Sequence, residues 1–348
     1  MKVDPKAVNL QPAPTPMLRA LRTIALTVTW LVVTLLTLWA LAALYIDVRI
    51  PALRIPLTLL YALGVAAVLA KSERRTKAAA LCSVGFCVVL AWWLGLRPSN
   101  EGAWRPDTDH TAWAEINGNH VMIHNLRNCD YQTERDYMNC WGDRTVDLSQ
   151  IRAVDLFFIN WGLRWMDHTI ASFQFGDSEH IAFSVEPRSK IGQAYSGLRG
   201  FFREYELIFV AADERDVIRL RTNYRKDEAV YMYRTLIQPQ EARDIFLTYL
   251  NYLNQLKDHP QWYNALTRNC TTTMGREILG DVSRPRPSYF SILLNGSLDE
   301  LLYSRGRLAT GGLPFPELKQ REHINAAARA ADQSPDFSAL IRVGRIAY

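Results

Sequence analysis

The run from Thr23 to Ile46, twenty-four residues without a charged side chain, constrains this 348-residue chain more than any other feature. As a helix rising about 1.5 Å per residue it reaches about 36 Å, enough to cross a hydrocarbon layer of about 30 Å. Two further apolar runs follow before residue 97. Ala78 to Leu96 holds 19 uncharged residues and ends near the Trp92–Trp93 pair, which suits a membrane interface. Ile55 to Ala70 holds 16, and spans if the helix starts at Pro51 and Arg54 snorkels. Three spans are therefore expected, at about 23–46, 51–70 and 78–96, with short loops.

Charge sets their direction. Lys2, Lys6, Arg19 and Arg22 precede the first span, and Lys71, Arg74, Arg75 and Lys77 separate the second from the third, so both stretches are expected on the cytoplasmic side. An odd number of spans then puts the remaining chain outside. The expected arrangement is multi-pass, with a cytoplasmic N-terminus and an extracytoplasmic domain. The first 97 residues carry 11 Lys/Arg against 3 Asp/Glu, while the rest has more acids than bases. The overall +5 is thus a topology signal and gives no footprint for nucleic acid.

After a polar linker at 98–112, residues 113–348 read as an α+β domain. HVMIHNL, IRAVDLFFINW, HTIASFQF, HIAFSV, YELIFVA, VIRLRT and AVYMYRTL are rich in β-branched and aromatic residues and bounded by turn residues, so all seven are expected as strands. Gln238-Pro239-Gln240-Glu241 opens a helix that puts Ile245, Tyr249, Tyr252 and Leu256 on one face. LDELLYS and HINAAARAAD are helical in pattern.

The five cysteines divide by setting. Cys82 and Cys87 lie inside the third span and read as packing residues. Cys129 and Cys140 are 11 residues apart in an exported region, a spacing that closes a loop disulfide. That leaves Cys270, in YNALTRNCTTTMGREILG. Asn269 is a good N-cap, so a helix is expected from Cys270 to Gly280, with the sulfur at the positive end of its dipole. First-turn N–H groups, those of Cys270 and Thr271 among them, are then placed to receive an oxyanion, and the thiol pKa falls. A packing cysteine behind a helix cap is the bland alternative.

A cysteine nucleophile needs a base. HTIASFQFGDSEHIAFSVEPR reads as a hairpin turning at Gly176-Asp177. If Phe175 pairs with Glu179, His168 stands opposite Glu186, and His180 opposite Gln174, about 20 Å along the strand from His168. A one-step register slip puts Ser184 opposite His168 instead. The candidate set is Cys270, His168 and Glu186, with His180 or Ser184 as the alternative third residue. Unremarkable readings compete: a buried neutral histidine for His168, a hairpin-tip residue for His180, a salt bridge to Arg188 for Glu186.

No metal or cofactor is expected. His120 and His124 are four apart on a strand, which lacks the compact geometry of a helical pair, and GLRG at 197–200 lacks the lysine of a phosphate loop.

YNALTRNCTTT, the hairpin segment, GLRGFFREYELIFVAADERDVIRLRTNYR and INAAARAADQSPDFSALIR together resemble the Lnb N-terminal periplasmic domain family, over about residues 113 to 345. The resemblance implies a circularly permuted papain-like fold, similar to the NlpC type and to the lecithin:retinol acyltransferase group, with an antiparallel sheet and helices. It also implies Cys270 as nucleophile, His168 as base and Glu186 as the carboxylate. The expected activity is cysteine acyl transfer from membrane phospholipid to a lipoprotein or other envelope acceptor. A cell-envelope amidase or peptidase, and a non-catalytic tethered binding domain, are the alternatives. Where the acyltransferase group has glutamate and histidine after Asn-Cys, this chain has Thr271 and Thr272.

Overall fold

The computed structural model describes residues 15–138, 141–162, 167–269 and 298–347. They form two compact units, divided after Arg97.

The first unit contains α1 (Pro16–Asp47), α2 (Pro51–Lys71) and α3 (Arg75–Gly95). All three are long and apolar enough to cross a membrane. Prolines at 16 and 51 occupy the first turns of α1 and α2, where a missing N–H costs nothing. Trp39 of α1 meets Phe86 and Trp93 of α3 edge-to-face. The Trp93 indole also donates to Asp47 Oδ2 at 2.6 Å, giving the carboxylate at the end of α1 a partner.

The second unit is built on an eight-stranded sheet. Its strands are β1 (Trp113–Asn117), β2 (His120–Arg127), β5 (Trp141–Asp147), β6 (Ile151–Asn160), β7 (Asp167–Phe175), β8 (Glu179–Arg188), β9 (Glu206–Ala212) and β10 (Ala229–Arg234). The order is β1-β2-β9-β8-β7-β6-β10, with β5 on β2. A small pair, β3 (Asp130–Tyr131) and β4 (Tyr137–Met138), stands apart. The sheet is mixed, against the antiparallel one expected: β2 and β9 run parallel where Arg127 meets Ala212. The chain reaches β9 only after six intervening strands, four of them in this sheet, and the long return brings it alongside β2 in the same direction.

Both faces of the sheet are covered, which is why its central strands are nearly continuous apolar runs. Alternate residues split cleanly. Ala171, Phe173 and Phe175 of β7, with Phe183 and Phe209 of neighbouring strands, face α5 (Pro239–Asp258). Phe246 of α5 sits 5.0 Å from Phe173 and 5.1 Å from Phe175, centroid to centroid. Helix α5 buries Ile245, Tyr249 and Leu256 as its spacing predicts, and Phe246, Leu250 and Leu253 besides. On the opposite face, Ile159, Ile170, Ala182 and Val210 pack against Val217, Ile218, Ala328 and Phe337.

VIRLRT is not a strand. It lies in α4 (Glu214–Arg219) and a π-helical turn at Leu220–Tyr224. Asp213 caps α4 by accepting from the Arg215 N–H at 2.9 Å, and Glu214 and Asp216 occupy the first turn. The apolar/arginine alternation misleads because Arg219 and Arg221 are themselves buried in ion pairs. Residues 98–112, expected as a linker, are packed into this unit: Trp104 is buried beneath the Arg188 guanidinium, and Trp104 bridges Lys190. Strands β1 and β5, unforeseen from sequence, are edge elements with mixed polar patterns. LDELLYS becomes α6 (Leu298–Ser304); α7 (Phe315–Arg321), α8 (Asn325–Ala330) and α9 (Phe337–Leu340) follow.

Candidate active site

Sheet register decides which polar side chains meet. Phe175 pairs with Glu179, Gln174 with His180 and Ile170 with Ser184, the register expected of the hairpin. Continued two residues further, it brings His168 opposite Glu186. His168 Nε2 lies 3.8 Å from Glu186 Oε1, and Ser184 Oγ stands between them, 2.8 Å from each. The two sequence alternatives are therefore reconciled: Ser184 reaches His168 diagonally, without any register slip.

The hydrogen bonds fix the histidine tautomer. Ser184 has one hydroxyl proton and donates it to the Glu186 carboxylate, so its oxygen accepts from His168 Nε2–H. Nδ1 is then left as the proton-accepting nitrogen of the ring.

Arg221, from the π-helical turn, closes the network. Its Nη2 donates to Glu186 Oε1 at 3.1 Å and its Nη1 to Glu228 Oε1 at 3.2 Å. Glu228 also accepts from the Trp161 indole at 2.9 Å, and Arg225 lies 3.8 Å from it. Burial alone would raise the Glu186 pKa, but Arg221, with His168 and Arg225 adding, holds this carboxyl well below the usual range. Burial, and then Arg221, lowers His168 to about 3 against the pull of Glu186, so the ring is neutral at ordinary pH. Arg221 and Glu228 carry no sequence signal for this role, because the segment that holds the arginine reads as a strand.

The other candidates fall elsewhere. His180 is buried at the far end of the hairpin, its Nδ1 3.0 Å from the Ser178 carbonyl. It neighbours a separate network in which Glu214 accepts from Ser172 and Arg342, while Asp155 accepts from Arg342 and Arg234. Asn269 Nδ2 donates to the Ala265 carbonyl at 2.6 Å. Cys270 and Thr271 lie outside the described residues, as do Cys140 and the expected helix to Gly280. Cys129 is buried beside Tyr131 and Leu220. Glu186 contacts Arg221 and not, as the plain alternative supposed, Arg188, which bonds instead to the Thr108 and Asp109 carbonyls. Among the described residues no cluster of His, Cys, Asp and Glu is placed to hold a metal ion. His124 spans Asp143 and Glu115 and stacks on Trp113.

Asp167, one residue before the candidate base, titrates unusually. Burial raises it to about 7, with Asp299 adding to the rise and the Asn160 amide opposing it. An acid with a raised folded-state pKa holds its proton more tightly when folded, so stability is full below the unfolded value and is lost as pH rises towards 7. Asp167→Asn keeps the shape and removes the charge. Its melting temperature should exceed that of the parent at about pH 8 and converge towards it at about pH 4, the gain being at most about 4 kcal/mol before solvent screening. Thermal unfolding at the two pH values checks this; an equal shift at both contradicts it.

Residues 137–291 match the Lnb N-terminal periplasmic domain family. This agrees with the resemblance read from the sequence motifs. The Lnb match runs from β4 past the asparagine-cysteine motif, and so takes in His168, Ser184, Glu186, Arg221, Glu228 and Cys270. A match to a periplasmic domain family, in a chain with three N-terminal helices long and apolar enough to cross a membrane, is consistent with a membrane protein. No curated protein and no solved structure matches the chain.

Proposed function

We propose that the chain is a cysteine acyltransferase anchored in the inner membrane, with its N-terminus cytoplasmic and its catalytic domain periplasmic. The observation that supports this best is the His168–Ser184–Glu186 chain, which leaves Nδ1 of a buried neutral imidazole as acceptor within the same Lnb-matching segment as Cys270. A histidine on a strand followed by a cysteine expected at a helix start is the order of the permuted papain-like layout.

In this reading His168 Nδ1 takes the Cys270 thiol proton as the sulfur attacks the ester carbonyl of a phospholipid acyl chain. First-turn N–H groups of Cys270 and Thr271 receive the oxyanion. The carbonyl–oxygen bond then breaks, and His168 returns the proton to the departing lysophospholipid oxygen. Next, an acceptor amine such as the N-terminal amine of a lipoprotein attacks the thioester. Its proton passes through His168 to the released thiolate. Glu186, acting through Ser184, stabilises the transient imidazolium and holds the ring. Because Arg221 and burial keep His168 weakly basic, proton transfer proceeds together with nucleophilic attack, when negative charge grows beside the ring. An acyl thioester on Cys270 is the expected intermediate. Its passage to an added amine, measured against release as free fatty acid, separates transfer from the hydrolysis of an amidase or peptidase.

A further inference from the structure

We propose that the loop at 189–203, together with the turn at 264–268, is a lipid-contacting surface of the second unit, seated in the headgroup region of the bilayer. The loop is held in place by backbone bonds and yet presents large apolar side chains to solvent. Ile191 and Leu198 are each 68% exposed, Tyr195 is 49%, Phe201 is 40%, and Leu266 of the neighbouring turn is 42%.

Its shape is fixed from within. Tyr205 Oη donates to the Ala194 carbonyl and accepts from the Ser196 N–H, both at 2.9 Å. The Ala265 N–H donates to the Gly200 carbonyl at 2.8 Å, and a Cβ at Gly200 would come within 3.2 Å of the Ala265 methyl, so glycine permits the two segments to close on each other. Order of this kind costs conformational entropy. A loop and turn that together spend it on exposing five large apolar groups have the signature of an interaction surface.

Three features select lipid as the occupant. First, Lys190, Arg199, Arg203 and Arg268 are basic, while the sole carboxylate of 189–203 and its boundary, Glu204, is buried on Gln193 and Arg199. Apolar side chains interspersed with basic ones, in two segments that carry no exposed carboxylate of their own, suit an anionic headgroup layer. Second, the loop is stitched to the segment that follows the third apolar helix. The Ile191 N–H donates to the Ala103 carbonyl at 2.9 Å and the Arg105 N–H to the Ser189 carbonyl at 3.1 Å. Ala103 lies eight residues beyond Gly95, the end of α3, at most about 28 Å of extended chain. If α3 crosses the membrane, that short stretch of chain limits how far Ala103, the loop's backbone partner, can lie from the bilayer. Third, Tyr195 is the amphipathic aromatic that favours that depth. The turn at 264–268 leads directly to Asn269 and Cys270, so the surface would deliver acyl chains to the thiol. That purpose rests on the acyltransferase reading; the lipid contact itself does not.

The test uses the full chain carrying Cys270→Ala, reconstituted in vesicles of phosphatidylcholine and phosphatidylglycerol, with a benzophenone amino acid placed in turn at Leu198, Leu266, Leu35 of α1 and Asp177. Asp177, 96% exposed at the hairpin tip, is the solvent control. Irradiation should give lipid adducts at Leu198, Leu266 and Leu35 and none at Asp177, with those at Leu198 increasing with the phosphatidylglycerol fraction. A lipid adduct at Leu35 without one at Leu198 or Leu266 overturns the proposal, as does cross-linking of Leu198 to a second copy of the chain. With Cys270 removed, neither outcome depends on acyl transfer.

Discussion

Alanine at His168 should lower acyl transfer by about a thousandfold or more, because in the proposed mechanism it removes the group that takes the thiol proton and later returns it to the leaving group. The substitution also opens a cavity in a buried site, so His168→Gln, which keeps a polar side chain of similar size without a base, serves as the companion variant and should be nearly as inactive. Losses along the relay should be graded. Ser184→Ala leaves Nε2–H without its acceptor and frees the ring to change tautomer, for an expected loss of about 10- to 100-fold. Glu186→Gln still accepts from Ser184 but loses its charge, and should also be partial. His180→Ala should change activity little, since that ring lies at the other end of the hairpin. Steady-state rates with phospholipid and an amine acceptor measure the series. Full activity in His168→Gln, or an inactive His180→Ala beside a healthy Glu186→Gln, contradicts the assignment.

Removal of Arg221 should have the largest effect on stability. Its guanidinium is shared by Glu186 and Glu228, both of which lie in the interior around it. Arg221→Met preserves much of the volume but strands two carboxylates, and breaking a buried pair in this way costs about 3 to 5 kcal/mol. For a unit of this size that is a fall of about 10 °C in melting temperature. The sign of the pH dependence follows. Without the arginine the folded-state pKa of Glu186 rises, so the variant's deficit grows as pH increases through the carboxylate range and shrinks in mild acid. Adding Glu228→Gln should restore part of the loss. An Arg221→Met protein as stable as its parent at neutral pH would show that the network does not support the site.

Both faces of β7 and β8 are buried, so their apolar pattern alone does not fix the hairpin register and leaves the one-residue slip open; the turn at Gly176-Asp177, with Phe175 paired to Glu179, sets it. Helix α5 was legible through its 3.6-residue apolar stripe, and its start through Pro239 and Glu241. What was not legible depends on partners distant in sequence. Arg219 and Arg221 look like the solvent side of a strand until Asp130, Asp332, Glu186 and Glu228 arrive from elsewhere to neutralise them. The parallel β2–β9 contact is equally non-local. In the sequence Ser184 competes with Glu186; only three-dimensional geometry shows that the hydroxyl joins the carboxylate to the histidine.

The central claim is that Cys270 carries an acyl group from phospholipid. The full chain, reconstituted with phospholipid of one defined acyl chain and no amine acceptor, should yield a Cys270 peptide heavier by that acyl group less the displaced proton. The added mass should be released by hydroxylamine, as a thioester requires, and should disappear when an amine acceptor is supplied. Peptide mass spectrometry reads all three. An unmodified Cys270 peptide from protein that nevertheless acylates the acceptor would contradict the account, as would an acyl adduct that persists unchanged in Cys270→Ala.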